Sequence, residues 1–173
     1  MSNLPARPAA RIDEVRDEIG FLTFNRPQSR NAMKFEMYER MAQICADASE
    51  TRNIRALILT GAGDKAFAAG TDMSQFRTFD KDEDAIAYEA RIDRTLGALE
   101  RCRIPTIAAI RGACAGGGAG IAACCDLRIA ARTSRFGFPV ARTLGNCLSM
   151  TNYARLADLI GAAGPEDLVG FYA

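Results

Sequence analysis

Arg111-Gly112-Ala113-Cys114-Ala115-Gly116-Gly117-Gly118-Ala119-Gly120 follows the apolar run Thr106-Ile107-Ala108-Ala109-Ile110 and leads into Ile121-Ala122-Ala123-Cys124-Cys125-Asp126. The order reads as strand, glycine turn, helix. Glycine permits positive φ and lets a ligand approach bare peptide groups. The first N–H groups of the helix that follows have no partner within it and lie at the positive end of its dipole. Such a turn suits negative charge, either a phosphate or an oxyanion formed in passing. The same small residues also permit close packing of helix on sheet, so the segment alone carries both readings.

Working outward, the unit strand, glycine turn, small-residue loop, helix occurs twice, over residues 55–76 and 106–125. In the first copy Ile54 to Thr60 predicts a buried strand closed by Gly61-Ala62-Gly63. Asp64-Lys65-Ala66-Phe67-Ala68-Ala69-Gly70-Thr71-Asp72 follows. Asp72 with Gln75 reads as a capping-box start for a short helix, a structural role set against a catalytic one. Two such units side by side can aim two peptide N–H groups at one point, which is what an oxyanion hole requires.

The flanking elements follow from periodicity. Ile19 to Asn25 has strand composition and is stopped by Arg26-Pro27. Asn31 is the expected N-cap of a helix whose apolar Phe35, Tyr38, Ala42, Cys45 and Ala48 recur at three and four. Ala85 to Arg101 predicts a second helix, with Ile86, Ala90, Leu96 and Leu99 inward and Asp82, Glu83, Glu89 and Arg94 outward. Leu127 to Ala131 reads as a strand and Thr151 to Ile160 as a helix ended by Gly161. Residues 1–10 read as a frayed Pro/Ala/Arg-rich leader, 11–163 as the core and 164–173 as an unmatched tail.

Composition narrows the function classes. A chain of 173 residues suits one domain, and 49% hydrophobic with 25% charged residues is ordinary for a globular protein. A net charge of +1 gives no electrostatic case for nucleic acid or an anionic membrane surface. The start is neither a signal peptide nor a membrane span. Six cysteines without a C-x-x-C pair, and no histidine, argue against a zinc site and for free thiols in a reducing cytoplasm.

The missing histidine also removes Ser-His-Asp and Cys-His chemistry, and leaves Cys147 without a base. Acid–base work falls to carboxylates, Lys, Tyr, Cys or water. Gly61-Ala62-Gly63-Asp64-Lys65-Ala66 satisfies G-x-G-x-x-A, but a loop rather than a helix is expected after it. A dinucleotide fold needs the helix.

Several motifs in order resemble the crotonase (enoyl-CoA hydratase/isomerase) superfamily over roughly residues 12 to 160. They are Asn25-Arg26-Pro27 with Arg30-Asn31-Ala32, Arg55-Ala56-Leu57-Ile58-Leu59-Thr60-Gly61, and Ala66-Phe67-Ala68-Ala69-Gly70-Thr71-Asp72. Pro105 to Ile110, Gly112 with Gly116-Gly117-Gly118, Asp126 to Ala130, and Phe136-Gly137 complete the set. The resemblance implies an α/β fold, a crotonase-like spiral of ββα units truncated at its C-terminus and assembled as trimers or dimers of trimers. It implies a lyase or isomerase of fatty-acid metabolism acting on an acyl-CoA thioester, with no separate cofactor (CoA is part of the substrate) and no metal.

By position, the implied oxyanion donors are the backbone N–H groups of Thr71 and Gly117. Ala66, Phe67, Ala68, Gly70, Asp72 and Gly116 are the implied substrate contacts, and Lys65 or Arg30 would either meet the CoA phosphates or stay solvated. The chain departs from the hydratases where they carry two glutamates: here those places hold Gly120 and Val140, which move no proton. Asn146 or Cys147 stands near the place of an aspartate that another branch uses. A non-catalytic paralogue or fragment serving as an interaction subunit is the alternative reading.

Overall fold

The computed structural model describes residues 9–50, 53–139, 148–161 and 164. Eight strands and four helices are found among them, with two short 3-10 turns at Pro27–Ser29 and Met73–Phe76. The chain opens with a hairpin of β1 (Ala10–Arg16) and β2 (Ile19–Phe24), antiparallel, its turn made by Asp17 and Glu18 at φ 49° and 64°. The core begins one residue before the expected boundary, because the strand starts at Ala10, which is buried opposite Phe24. Residues 1–8 of the expected leader, and residues 165–173 of the expected tail, lie outside the described residues.

Helix α1 (Phe35–Glu50) then crosses to β3 (Ala56–Gly61), which runs parallel to β2. Its buried stripe is Met37, Tyr38, Met41, Ile44, Cys45 and Ala48, the three-and-four spacing that lets one helical face meet a sheet. Each later turn of the chain contributes one strand to a large sheet and one to a small sheet. The pairs are β3 with β4 (Ala66–Ala68), β5 (Thr106–Ile110) with β6 (Ala113–Ala115), and β7 (Leu127–Ala130) with β8 (Arg135–Gly137). The large sheet has the order β1-β2-β3-β5-β7, parallel after its first pair, and the small sheet the order β4-β6-β8, parallel throughout. The echo read over 55–76 and 106–125 is thus a repeat of structure, and β7–β8 continues it.

Helix α2 (Asp82–Glu100) fills the crossover from the first repeat to the second, and α3 (Gly117–Cys124) the crossover from the second to the third. From Gly118 onward every residue of α3 is buried, so the glycine–alanine content serves close packing as well as any site chemistry. A Cβ on Gly118 would press on the Ala68 carbonyl of the neighbouring repeat. Helix α4 (Met150–Ile160) is N-capped by Ser149, which accepts from Asn152 N at 3.3 Å. It is fastened to the end of α2 by Arg155, which donates to both Glu100 oxygens at 2.6 and 2.9 Å.

Three expectations need correction. Asn31 is no helix cap: α1 starts at Phe35, too far along for the Asn31 side chain to reach its first N–H groups. Asn31 instead takes φ 55° and is fully buried, accepting from Arg26 N at 2.9 Å and donating to Ala62 O at 3.0 Å and Ala66 O at 2.7 Å. Asp72 does cap its turn, but its carboxylate accepts from Ser74 N at 3.0 Å, and Gln75 accepts from Phe35 N at 3.2 Å rather than closing a capping box. On α2 the inward stripe is Ile92, Thr95, Leu96 and Leu99, while Ile86 is 68% exposed and Ala90 is exposed. Ile86 and Ala90 therefore do not mark the inward face of the first half of that helix, and Glu89, expected outside, is half-buried.

Candidate active site

The two glycine-bearing loops meet at the mouth of a cavity. In the first repeat the chain leaves β4 through Gly70, at φ 107°, and Thr71. This loop is clamped by residues 30–33: Ala69 N donates to Arg30 O at 3.1 Å, Met33 N to Gly70 O at 2.8 Å, and Asp72 N to Met33 O at 2.9 Å. In the second repeat Gly116, at φ 50°, turns the chain from β6 into α3, whose first residue is Gly117. Both positive φ values lie where L-residues are strained, which is why glycine stands at these two corners.

The loops touch. A Cβ on Gly70 would stand 3.5 Å from Ala115 O and 4.0 Å from Gly117 N. A Cβ on Gly117 would run into the Tyr38 hydroxyl and come within 3.2 Å of Thr71 Oγ1. Among the described residues neither Thr71 N nor Gly117 N donates to a protein acceptor. For Gly117 this follows from its place in the first turn of a helix. Peptide N–H groups left without a protein partner in such a place are available to a ligand.

Below the loops lies a cavity of about 670 Å³, a size that suits a small-molecule site. One wall is aromatic: Phe76 and Tyr88 pack edge to face with ring centroids 4.8 Å apart, and Phe79 and Phe35 join them. Ile86, Ile92 and Leu96 of α2, Phe138, and Leu148 with Asn152 of the α4 region add to the lining. Gly116, Gly117 and Gly120 form the facing wall, and Glu89 is the carboxylate among the described lining residues.

A line of hydroxyls joins the aromatic wall to the loop. Tyr38 and Thr71 are 2.9 Å apart at their oxygens, and Thr71 and Tyr88 are again 2.9 Å apart. Burial pushes both tyrosine hydroxyls above their ordinary range, so both stay protonated. Burial, and then the neighbouring Asp93 charge, raises the Glu89 carboxyl. Asp72, by contrast, is held down at about 2 by the Ser74 hydroxyl first, then by the Ser74 N–H and the Arg26 guanidinium, 2.8 Å away.

The sequence-predicted residues separate into two groups. Gly116, Gly117 and Gly120 line the cavity, and Thr71 borders it through its bond to Tyr88. Ala66, Phe67 and Ala68 lie in the small sheet, buried, with the Phe67 ring edge to face on Phe24 at 5.5 Å. Their side chains belong to the core, and only peptide groups of that strand are left to meet a ligand. The Asp72 carboxylate is taken up by Ser74 and Arg26, the structural role weighed for it from sequence. Lys65 and Arg30 are exposed. Val140, Asn146 and Cys147 lie outside the described residues.

Sequence reading missed Tyr88 and Glu89 as lining residues. The available signal was the spacing Tyr88, Ile92, Thr95, Leu96, Leu99, which fixes the phase of α2 better than Ile86 does. Among the described residues, no helix is long and apolar enough to cross a membrane, and no group of three or more His, Cys, Asp or Glu side chains is placed to hold a metal.

Comparison with known proteins agrees with this architecture. The probable enoyl-CoA hydratase echA8 of Mycobacterium bovis is 38% identical over 153 residues, 87% of this chain and 57% of its own. The short-chain-enoyl-CoA hydratase of Clostridium acetobutylicum is 32% identical over 158 residues, 91% of this chain and 60% of its own. A crystal structure of an enoyl-CoA hydratase/carnithine racemase from Magnetospirillum magneticum superposes with a TM-score of 0.88 at 32% identity, covering 95% of this chain and 61% of that one. This chain therefore spans about three fifths of the length of these relatives. The family model for enoyl-CoA hydratase/isomerase matches residues 14–169, which takes in both repeats, the two glycine corners and the cavity wall between them. With fold, motif order and family model in agreement, the chain belongs to the enoyl-CoA hydratase/isomerase family, a branch of the crotonase superfamily.

Proposed function

We propose that this protein binds an acyl-CoA thioester and stabilises its enolate by hydrogen bonds from the backbone N–H groups of Thr71 and Gly117. The observation that carries the reading is the contact between two loops from separate repeats, each bringing an N–H without a protein acceptor, at the mouth of an apolar cavity. A thioester carbonyl seated there would gain negative charge as its α-carbon loses a proton. Donors fixed in advance stabilise that charge without reorganising, and each such donor is typically worth about 10²–10³ in rate. The apolar lining suits an acyl chain, and the peptide edge of β4 would run beside the pantetheine arm. The names of the relatives, hydratases of enoyl-CoA thioesters, support the same substrate class.

Gly120 gives water addition across a double bond no carboxylate at one of its two usual positions. The reading is therefore an enolate-forming lyase or isomerase rather than a hydratase in particular. Assembly as a trimer or hexamer, and a cytoplasmic setting, belong to the same proposal.

The test removes one donor. Gly117→Pro deletes the N–H at the first helical position, where proline is otherwise tolerated. Its ring would meet the Tyr38 hydroxyl, so the variant is built on Tyr38→Phe, with Tyr38→Phe alone as the control. Across a panel of acyl-CoAs followed for heat and product, the control is expected to bind stoichiometrically and turn over. The double variant should lose about 10²–10³ in turnover. Unchanged turnover in the double variant refutes the assignment. Gly120 also favours a second reading, a scaffold-keeping interaction subunit, which turnover of any acyl-CoA in that panel would dismiss.

A further inference from the structure

We propose that Glu89 is the base that takes the α-proton of the bound acyl thioester, reaching the cavity from α2 in a sequence that has Gly120 and Val140 in place of the two family glutamates. The inference rests on the enolate reading above and adds to it the group that moves the proton.

Three observations carry it. Among the described residues that line the cavity, Glu89 is the only acid, and the other polar groups there are neutral: Tyr88, Ser149 and Asn152. Among the described residues, moreover, no hydrogen bond or ion pair engages Glu89. Its neighbours differ: Glu39 pairs with Arg91 at 3.4 Å, Glu100 with Arg155 at 2.6 Å, and Asp72 with Arg26 at 2.8 Å. A half-buried carboxylate in an apolar wall without a partner is costly to keep, which points to use rather than stability.

The third observation is place. Glu89 lines the same cavity as Tyr88, whose hydroxyl lies 2.9 Å from Thr71 Oγ1 in the loop that carries one proposed donor. Gly117, with the other, is on the facing wall. Gly120 lines that wall too, where a Cβ would meet Leu96 Cδ1 at 3.4 Å and Asn152 Oδ1 at 4.0 Å.

The surrounding charges favour a base. On its own helix Glu89 has Asp93 one turn on, and the carboxyl is raised by burial and then by Asp93. From α4 the nearest cation is Arg155, bonded to Glu100 and 3.7 Å from Asp93. From α1, Tyr38 reaches Tyr88 through Thr71, and Glu39 pairs with Arg91 of α2 at 3.4 Å. A carboxylate with a raised pKa accepts a proton more readily at neutral pH.

The step balances without a co-reactant. The Cα–H bond breaks, its proton passes to a Glu89 oxygen, and its electron pair moves into the thioester to give the enolate held at Thr71 and Gly117. Return of a proton to the same carbon restores substrate. In D₂O the returned nucleus is deuterium, so exchange reports the step whatever the natural reaction is.

The experiment incubates the protein with butyryl-CoA in D₂O, reads α-deuteration by mass spectrometry, and measures binding in parallel by calorimetry. Glu89→Gln should lower exchange by at least about 100-fold, with Kd within about three-fold of the parent. Glu89→Asp, which keeps a shortened base, should fall between. Glu83→Gln, an exposed carboxylate on the same helix, should leave exchange unchanged. Exchange at the parent rate in Glu89→Gln overturns the inference. Binding by the parent protein without any exchange overturns it too, while leaving thioester binding intact. No binding by the parent overturns the enolate reading and the role of Glu89 with it.

Discussion

The first and second repeats bring equivalent loops to one cavity by different means. The loop at Thr71 is held from outside: residues 30–33 bond to its backbone on both sides, and Asn31 ties the segment to the β3–β4 turn. The loop at Gly117 is held chiefly by the helix that begins there, with one bond to the next repeat, Gly116 N donating to Gly137 O at 3.0 Å. The first repeat ends in a four-residue 3-10 turn, too short to fix a direction, whereas the second runs into two turns of buried α-helix. One donor thus depends on a segment far away in sequence and the other on local helix geometry.

That contrast can be broken from either side. The largest effect is expected for Asn31→Ala, which removes three hydrogen bonds from a fully buried side chain. At about 1 kcal/mol each the loss is about 3 kcal/mol, read by chemical denaturation. Hydrogen exchange should quicken in residues 62–72 and leave the start of α3 protected; equal loss in both repeats would contradict the contrast.

The second repeat is probed by Gly118→Ala, whose methyl group would press on the Ala68 carbonyl and on the Ala68 Cβ, 2.8 Å away. Neither atom can move far inside a packed small sheet, so about 2 kcal/mol should be lost by overpacking. Thermal unfolding of the variant measures it, and an unchanged midpoint would mean that the two repeats are less tightly joined than described.

The smallest effect sharpens the first repeat alone. Asp72→Asn weakens the cap on Ser74 and the pair with Arg26, at a cost of about 1 kcal/mol. The sign with pH is fixed by the depressed carboxyl, at about 2. A group that is more acidic folded than unfolded stabilises above its unfolded range, near 4, and loses that contribution as pH falls through its folded value. The difference between parent and Asp72→Asn should therefore be full at neutral pH and shrink between about pH 4 and 2. A difference independent of pH would remove the carboxylate from the account.

What could be read from the sequence divides along the same line. Local order was legible: Ile107 to Ile110 as a strand, Gly116 to Gly118 as the corner, Thr151 to Ile160 as a helix with Gly161 after it. Each is set by residues within a few positions, and the doubled motif exposed the repeat. The crossing contacts were not legible. Asn31 looked like a cap because its type suits both a cap and a left-handed bracket, and only the fold brings Ala62 and Ala66 within reach of it. Ile86 misled the phase of α2 because an apolar residue was assumed to be covered, whereas here it stands at an open cavity rim. The same error hid Glu89.

The aligned hydroxyls of Tyr38, Thr71 and Tyr88 carry a last consequence, one of counting hydrogens. Three O–H groups share two links, so one hydrogen must point out of the row. At the Tyr38 end it would face a sealed interior with no acceptor for it among the described residues, a costly arrangement. At the Tyr88 end it faces the open chamber. Either Thr71 accepts from both tyrosines and turns its own hydrogen aside, or the row runs from Tyr38 through Thr71 to Tyr88 and the Tyr88 hydroxyl offers an incoming molecule a hydrogen.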